Sequence, residues 1–309
     1  MSEREAIVRV EGLTRRFGDL TAVNSLSFDV ARGELFGLVG PDGAGKTTTL
    51  RMLAGVLPPS TGDATIRGVA VAHDPERAKP FLAYMAQRFG LYEDLTVREN
   101  IDFYADLYLV PPADRPRRIE RLYAFSSLGP FEDRLAGALS GGMKQKLALC
   151  CALIHEPELL LLDEPTFGVD PISRRDLWLI LHGMVASGVT VIVSTSYMDE
   201  AERCDRVGLL DGGRLLALDA PANLQQRLAG ELIALRTAEP RRARDLLRAT
   251  PGVHRASLFG ETLHVQLDAG ADPALARDTI AAQGIDVRSA DRIRPSLEDV
   301  FLDLVATER

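Results

Sequence analysis

Residues 34–57, ELFGLVGPDGAGKTTTLRMLAGVL, join an apolar run to an amphipathic helical pattern through a glycine-rich turn. Strand, glycine turn and helix in that order is the setting in which such a turn grips phosphate. Gly43 and Gly45 let the backbone curl so that successive N–H groups point into one hollow, and the helix N-terminus reinforces it. Lys46 brings an ammonium to the outer phosphates, and the Thr47 hydroxyl is suited to Mg2+. An α/β protein is expected, with the turn at the edge of a buried sheet.

A second run, ELLLLDEP at 158–165, holds four consecutive leucines, as expected of a strand covered on both faces. It delivers Asp163 to the strand end, where a carboxylate suits Mg2+ directly or through water. Glu164, one residue on, can point elsewhere, as general base or positioner of an attacking water. A third stretch, LSGGMKQKLALCCAL at 139–153, starts a helix at Ser140, Gly141 and Gly142. That is a second helix N-terminus able to take phosphate. One site has no need of two such turns, which suggests that the second serves another molecule's nucleotide.

The remaining pattern is read around these landmarks. Short strands are expected at 6–13, 25–30 and 34–40, a turn and strand pair near 58–68, and helices through about 92–155. Leu177–Met198 carries no formal charge and is long enough to span a bilayer. It is broken by His182-Gly183 and Ser187-Gly188, and its second half is β-branched, so helix, turn and buried strand are expected in a soluble chain. A hairpin around Gly212-Gly213 follows. The opening MSEREAIVRVEG lacks an apolar core, so no secretory signal is expected. Three cysteines, Cys150, Cys151 and Cys204, have no metal-ligand spacing and are expected to be reduced packing residues. A net charge of −8 argues against nucleic-acid binding, and the basic clusters at 115–118 and 241–244 are expected to be solvated helix faces.

Past 219–230, a polar helix and linker, the order becomes strand, helix, strand, strand, helix, strand and a final helix at 296–306. This is a ferredoxin-like α+β order. It has neither a phosphate loop nor a cluster of catalytic groups.

With these elements in sequence order, residues 5–220 resemble the nucleotide-binding subunit of ATP-binding-cassette (ABC) transporters. The Walker A turn of that family is GPDGAGKTT here: Gly40, Pro41, Asp42, Gly43, Ala44, Gly45, Lys46, Thr47 and Thr48. The signature is LSGGM at 139–143, Walker B is LLLLDEP, and the D-loop is FGVDP with Asp170. Gln87 matches the Q-loop glutamine, which in the family touches Mg2+ and faces the membrane subunit. Phe17 stands where the family stacks an aromatic ring on adenine.

The resemblance implies a P-loop NTPase with a RecA-like core, an antiparallel β subdomain and a helical subdomain at about 92–155, all within 1–220. The ferredoxin-like domain would occupy 221–309. It also implies a head-to-tail dimer holding two ATPs with Mg2+, each between Lys46 of one copy and Ser140–Gly142 of the other. Further implied are a separate integral membrane permease and a location on the cytoplasmic face of the cell membrane; the aromatic and apolar residues of 88–108 lie where the family docks the permease, or else serve ordinary helical packing. The tail, ending in LEDVFL at 297–302, resembles daunorubicin-resistance-type export ATPases, which implies export and a role in dimer stabilisation or regulation.

Two positions depart from that pattern. Asp42 replaces the commoner asparagine, and an acid beside phosphate is expected to turn out of the nest. Ser196 closes Ser194-Thr195-Ser196 where the family has Ser-Thr-His, and the family histidine bonds the γ-phosphate. His73, His155, His182, His254 and His264 lie elsewhere in the chain. Slow hydrolysis is therefore expected, or a weak site beside a partner ATPase with a complete histidine. Homodimer and heterodimer both stay open, as does a cytosolic ABC ATPase unconnected with transport.

Overall fold

Alternating residues at the start of the chain form a long hairpin. In the computed structural model, which describes residues 5–307, β1 (Ala6–Phe17) and β2 (Leu20–Ala31) pair antiparallel over more than the two short runs predicted, with bulges along their length. Residues 1–4 of the charged opening lie outside the described residues. With β4 (Thr61–Ile66) and β5 (Val69–Ala70) the hairpin makes an antiparallel sheet of order β2-β1-β4-β5.

The second sheet positions the site. It contains β3 (Leu35–Val39), β6 (Leu82–Met85), β7 (Leu159–Asp163), β8 (Thr190–Thr195), β9 (Arg206–Asp211) and β10 (Arg214–Asp219), in the order β10-β9-β3-β8-β7-β6. All neighbours are parallel except the β9–β10 hairpin. Every residue of β3, β7 and β8 is buried, which is why LFGLV, LLLL and VIV stand out in them as apolar runs. Val39 pairs with Thr195 and Asp163 with Ser194, so the turns leaving β3, β7 and β8 emerge side by side. Carboxyl-terminal strand ends are where open α/β sheets bind ligands.

Helices α1 (Lys46–Leu53), α2 (Pro75–Ala78), α3 (Val97–Leu107), α4 (Arg115–Ser126), α5 (Gly141–Leu153), α6 (Pro171–Ala186), α7 (Met198–Ala201) and α8 (Pro221–Gln226) follow in chain order. The Leu50 and Leu53 side chains of α1 join Phe36, Leu38, Leu161 and Ile192 in one core. A reciprocal capping box between Thr96 and Glu99 starts α3. The uncharged stretch 177–198 resolves into the end of α6, a turn and β8, and no described helix is long and apolar enough to cross a membrane. Elements α2 and β6 were not foreseen, since four residues each leave no periodicity to detect.

All three cysteines are free and buried. Burial pushes the Cys150 thiol up to about 12, and raises Cys151 and Cys204 as well. Buried thiols held protonated are inert packing groups.

Contacts divide the chain into two compact units, Met1–Pro221 and Ala222–Arg309. In the second, β11 (Glu231–Thr237), α9 (Pro240–Arg248), β12 (Val253–Phe259), β13 (Thr262–Leu267), α10 (Leu275–Ala282) and β14 (Val287–Ile293) give an antiparallel sheet of order β12-β13-β11-β14. Numbered within the unit, that order is 2-3-1-4, the ferredoxin-like arrangement predicted. Ile233, Leu235, Leu247, Val265 and Ile280 share its core. The last helix, α11 (Leu297–Thr307), is tied to the sheet by Asp299, which accepts from His264 Nδ1 at 2.9 Å and from the Ser296 hydroxyl at 2.6 Å. Burial alone would raise the Asp299 pKa; the hydrogen bonds from His264 and Ser296 outweigh it and hold the carboxyl below its ordinary range.

Candidate active site

The turn between β3 and α1 has the shape its glycines require. Gly43 and Gly45 adopt φ of 80° and 98°, and Gly45 caps α1. A Cβ on Gly45 would lie 2.6 Å from the Ala22 carbonyl oxygen, so any larger residue meets both strain and a clash.

Lys46 is 4% exposed, and its ammonium is the hub of the cluster. Nζ donates to the Gly40 and Pro41 carbonyls at 2.8 and 3.0 Å and to Ser196 Oγ at 2.8 Å, and lies 3.2 Å from Glu164 Oε1. An ammonium has three protons, so these four oxygens more than satisfy it. This dense set of partners offsets the cost of burying the charge.

Glu164 directly follows β7 at φ 47°, in the left-handed region that is uncommon outside glycine. Its N–H is held by Ser194, through Oγ at 3.0 Å and the carbonyl at 3.2 Å, which fixes the unusual backbone. Its side chain then faces Lys46 on one oxygen and accepts from Gln87 Nε2 at 3.2 Å on the other. Backbone strain sustained by specific contacts is a feature of functional positions.

Asp163 meets three other groups. Its Oδ1 accepts from Thr47 Oγ1 at 2.9 Å and from Ser194 Oγ at 2.8 Å, and its Oδ2 from the Tyr84 hydroxyl at 3.3 Å. Burial, with the Asp163 charge next in size, raises the Tyr84 phenol, which therefore stays protonated as a donor. The hydroxyl of Thr47 and the carboxylate of Asp163 are hard oxygen donors, the kind Mg2+ takes, so this pair fits that ion. Gln87 is not joined to the pair; its recorded partner is Glu164.

Ser196 lies between these groups. Its Oγ accepts from Lys46 and lies 3.0 Å from Glu164 Oε1 and 3.3 Å from Asp42 Oδ1. Asp42 is exposed, and its side chain leans toward the tip of β8. Lys46, Glu164, Asp42, Ser196 and Gln87 thus form one network, with Thr47 and Asp163 beside it.

The other candidates stand apart from this network, sharing no recorded hydrogen bond with it. Ser140 caps α5 by accepting from Met143 N at 3.3 Å, and Ser140 and Gly141 are exposed. Gly142 is buried against α6, where a Cβ would fall 2.2 Å from Ser173 Oγ. Asp170 caps α6, accepting from the Ile172 and Ser173 amides at 3.0 Å, and hydrogen bonds from Ser173 hold its carboxyl below the ordinary range. Phe17 is 46% exposed, with the Arg15 guanidinium 4.6 Å from its ring centroid. In 88–108, Phe89 packs on Tyr104 at 5.2 Å and Tyr92 on Phe103 at 4.5 Å, while Tyr92, Phe103 and Leu107 remain exposed.

Sequence reasoning missed Tyr84, Ser194 and Glu200 as supporting groups. Glu200 is 1% exposed and accepts from Thr195 Oγ1 at 2.7 Å and Thr166 Oγ1 at 2.9 Å, which braces the end of β8 against the turn after β7. Ser194 meets Asp163 because the two pair in register on neighbouring buried strands, which the sequence does not reveal.

Comparison with known proteins agrees with this geometry. The family model described as "ABC transporter" matches residues 23–167, and "ATP-binding protein DrrA1-3-like, C-terminal domain" matches 220–305. The chain is 44% identical over 305 residues to the probable multidrug ABC transporter ATP-binding protein YbhF of Escherichia coli (strain K12), covering 97% of this chain but 52% of that protein. It thus spans about half the length of that relative. It is 39% identical over 303 residues to the Nod factor export ATP-binding protein I of Rhizobium sp. (strain N33), covering 97% of each. A solved structure titled "Structure of ATP binding subunit of ABC transporter" superposes with a TM-score of 0.65 at 31% identity, over 72% of this chain and 92% of that one. By sequence along nearly its whole length, and by fold, the chain belongs to the ATP-binding proteins of ABC transporters.

Proposed function

We propose that the chain binds and hydrolyses ATP with Mg2+ and so powers export through separate membrane-spanning subunits. The observation that carries this is the meeting of Lys46, Glu164 and Ser196 within 3.2 Å beside the Thr47–Asp163 pair. In this reading Lys46 exchanges its Ser196 and Glu164 contacts for phosphate oxygens. Glu164, released from the ammonium and still held by Gln87, orients the attacking water and takes its proton. Thr47 and Asp163 hold Mg2+, which when bound neutralises charge on the phosphate oxygens.

Ser140, Gly141 and Gly142, at the start of α5, are assigned to a second copy's nucleotide, Asp170 to the D-loop, and Phe17 to the adenine. Residues 1–220 then form the nucleotide-binding domain, and 221–309 a domain for dimer stabilisation or regulation. The exposed aromatic and apolar residues of 88–108 are assigned to the permease, on the cytoplasmic face of the cell membrane. The relatives named for multidrug and Nod factor export support the exporter reading.

A second reading rests on Ser196 in the place of the family histidine. The chain is then the weaker half of a heteromeric pair whose partner has the imidazole. Affinity purification from membranes extracted in mild detergent tests the transport reading. A membrane protein of several spans is expected to co-purify, together with Mg2+-dependent phosphate release. Recovery with ribosomes in its place contradicts the reading.

A further inference from the structure

Asp42 is the only acidic residue of the glycine turn, and it is tethered across the site. Its Oδ1 lies 3.3 Å from Ser196 Oγ, 154 positions along the chain. The same hydroxyl lies 3.0 Å from Glu164 Oε1 and accepts from Lys46 Nζ at 2.8 Å. A serine has one proton to donate, so it serves one of these carboxylates at a time. The group around Ser196 thus holds one ammonium and two carboxylates, a net negative charge before any phosphate arrives.

In a P-loop the main-chain amides cradle the inner phosphates and the lysine reaches the outer ones. The Asp42–Ser196 contact is on the lysine side, so the added charge bears most on the terminal phosphate of a triphosphate and less on the phosphates cradled by the amides. From this we infer that Asp42 sets the preference of the site between nucleoside triphosphate and diphosphate, by repelling the terminal phosphate group. This rests on the nucleotide-binding reading above and adds a specificity-determining residue to it. Contact with Ser196 keeps the carboxylate at the site instead of free in solvent. Because Asp42 is exposed, the repulsion is partly screened and depends on salt.

The test is calorimetric titration of the full chain with Mg2+ and either ADP or the β,γ-imido analogue of ATP. Wild type is compared with Asp42→Asn, which keeps the side chain's size and removes its charge. The variant is expected to bind the analogue roughly tenfold more tightly, as for a single partly screened charge, with ADP affinity within about twofold. The difference between the two proteins should shrink as salt is raised. Equal gains for both nucleotides, or no gain for the analogue, overturn the inference while leaving the nucleotide site standing. Failure of both proteins to bind either nucleotide overturns the site and the inference together.

Discussion

Replacing Glu164 by glutamine is expected to lower steady-state ATP hydrolysis roughly 10²–10⁴-fold, the usual contribution of a positioned general base, with nucleotide affinity nearly unchanged. Glutamine keeps the shape and can still meet Gln87, but it cannot take a proton. The backbone argues for the same residue independently. A non-glycine φ of 47° costs free energy, and the chain sustains it with two hydrogen bonds from the Glu164 N–H to Ser194. What that conformation achieves is a carboxylate turned back toward Lys46. Phosphate release by the purified variant checks the point, and turnover above about a tenth of wild type would assign the base to another group.

Replacing Ser196 by histidine is expected to raise turnover about 10²-fold, the loss typical when one preorganised transition-state donor is absent. Serine is shorter, and its single proton is already contested by Glu164 and Asp42. An imidazole extends further toward the phosphate side and pairs with Asp42 when protonated, which turns an unfavourable charge into a tether. The gain should require Glu164, so the double variant with Glu164→Gln should show none. Turnover unchanged in Ser196→His would mean that the serine is not what limits this site.

How much of this was legible in the sequence depended on whether the signal was local. The glycine turn, the four leucines before Asp163 and the serine-glycine start of α5 are contiguous patterns set by backbone geometry or two-sided burial, and each was readable. The ferredoxin-like order was readable because its strands and helices are long enough to show their periods. Strand β6 was not: its four residues, LAYM, have no such period, and its place at the sheet edge is decided by pairing with β7. The partners of Asp42 were equally hidden, because the turn residue and the tip of β8 meet only once β3 and β8 lie side by side. Nothing in DEAERCD sets Glu200 apart from an ordinary helix-surface acid. It is buried against Thr166, in the turn after β7, and Thr195, at the end of β8, which meet only in the folded sheet.

The account depends on Lys46 being the group that grips a triphosphate. Equilibrium titration of Mg·ATP into wild type and Lys46→Ala measures this directly. Binding is predicted for the wild type and a loss of at least about a hundredfold for the variant, as for a charge-assisted phosphate contact in a buried site. Equal affinity in the two proteins, or no binding by the wild type, would contradict it.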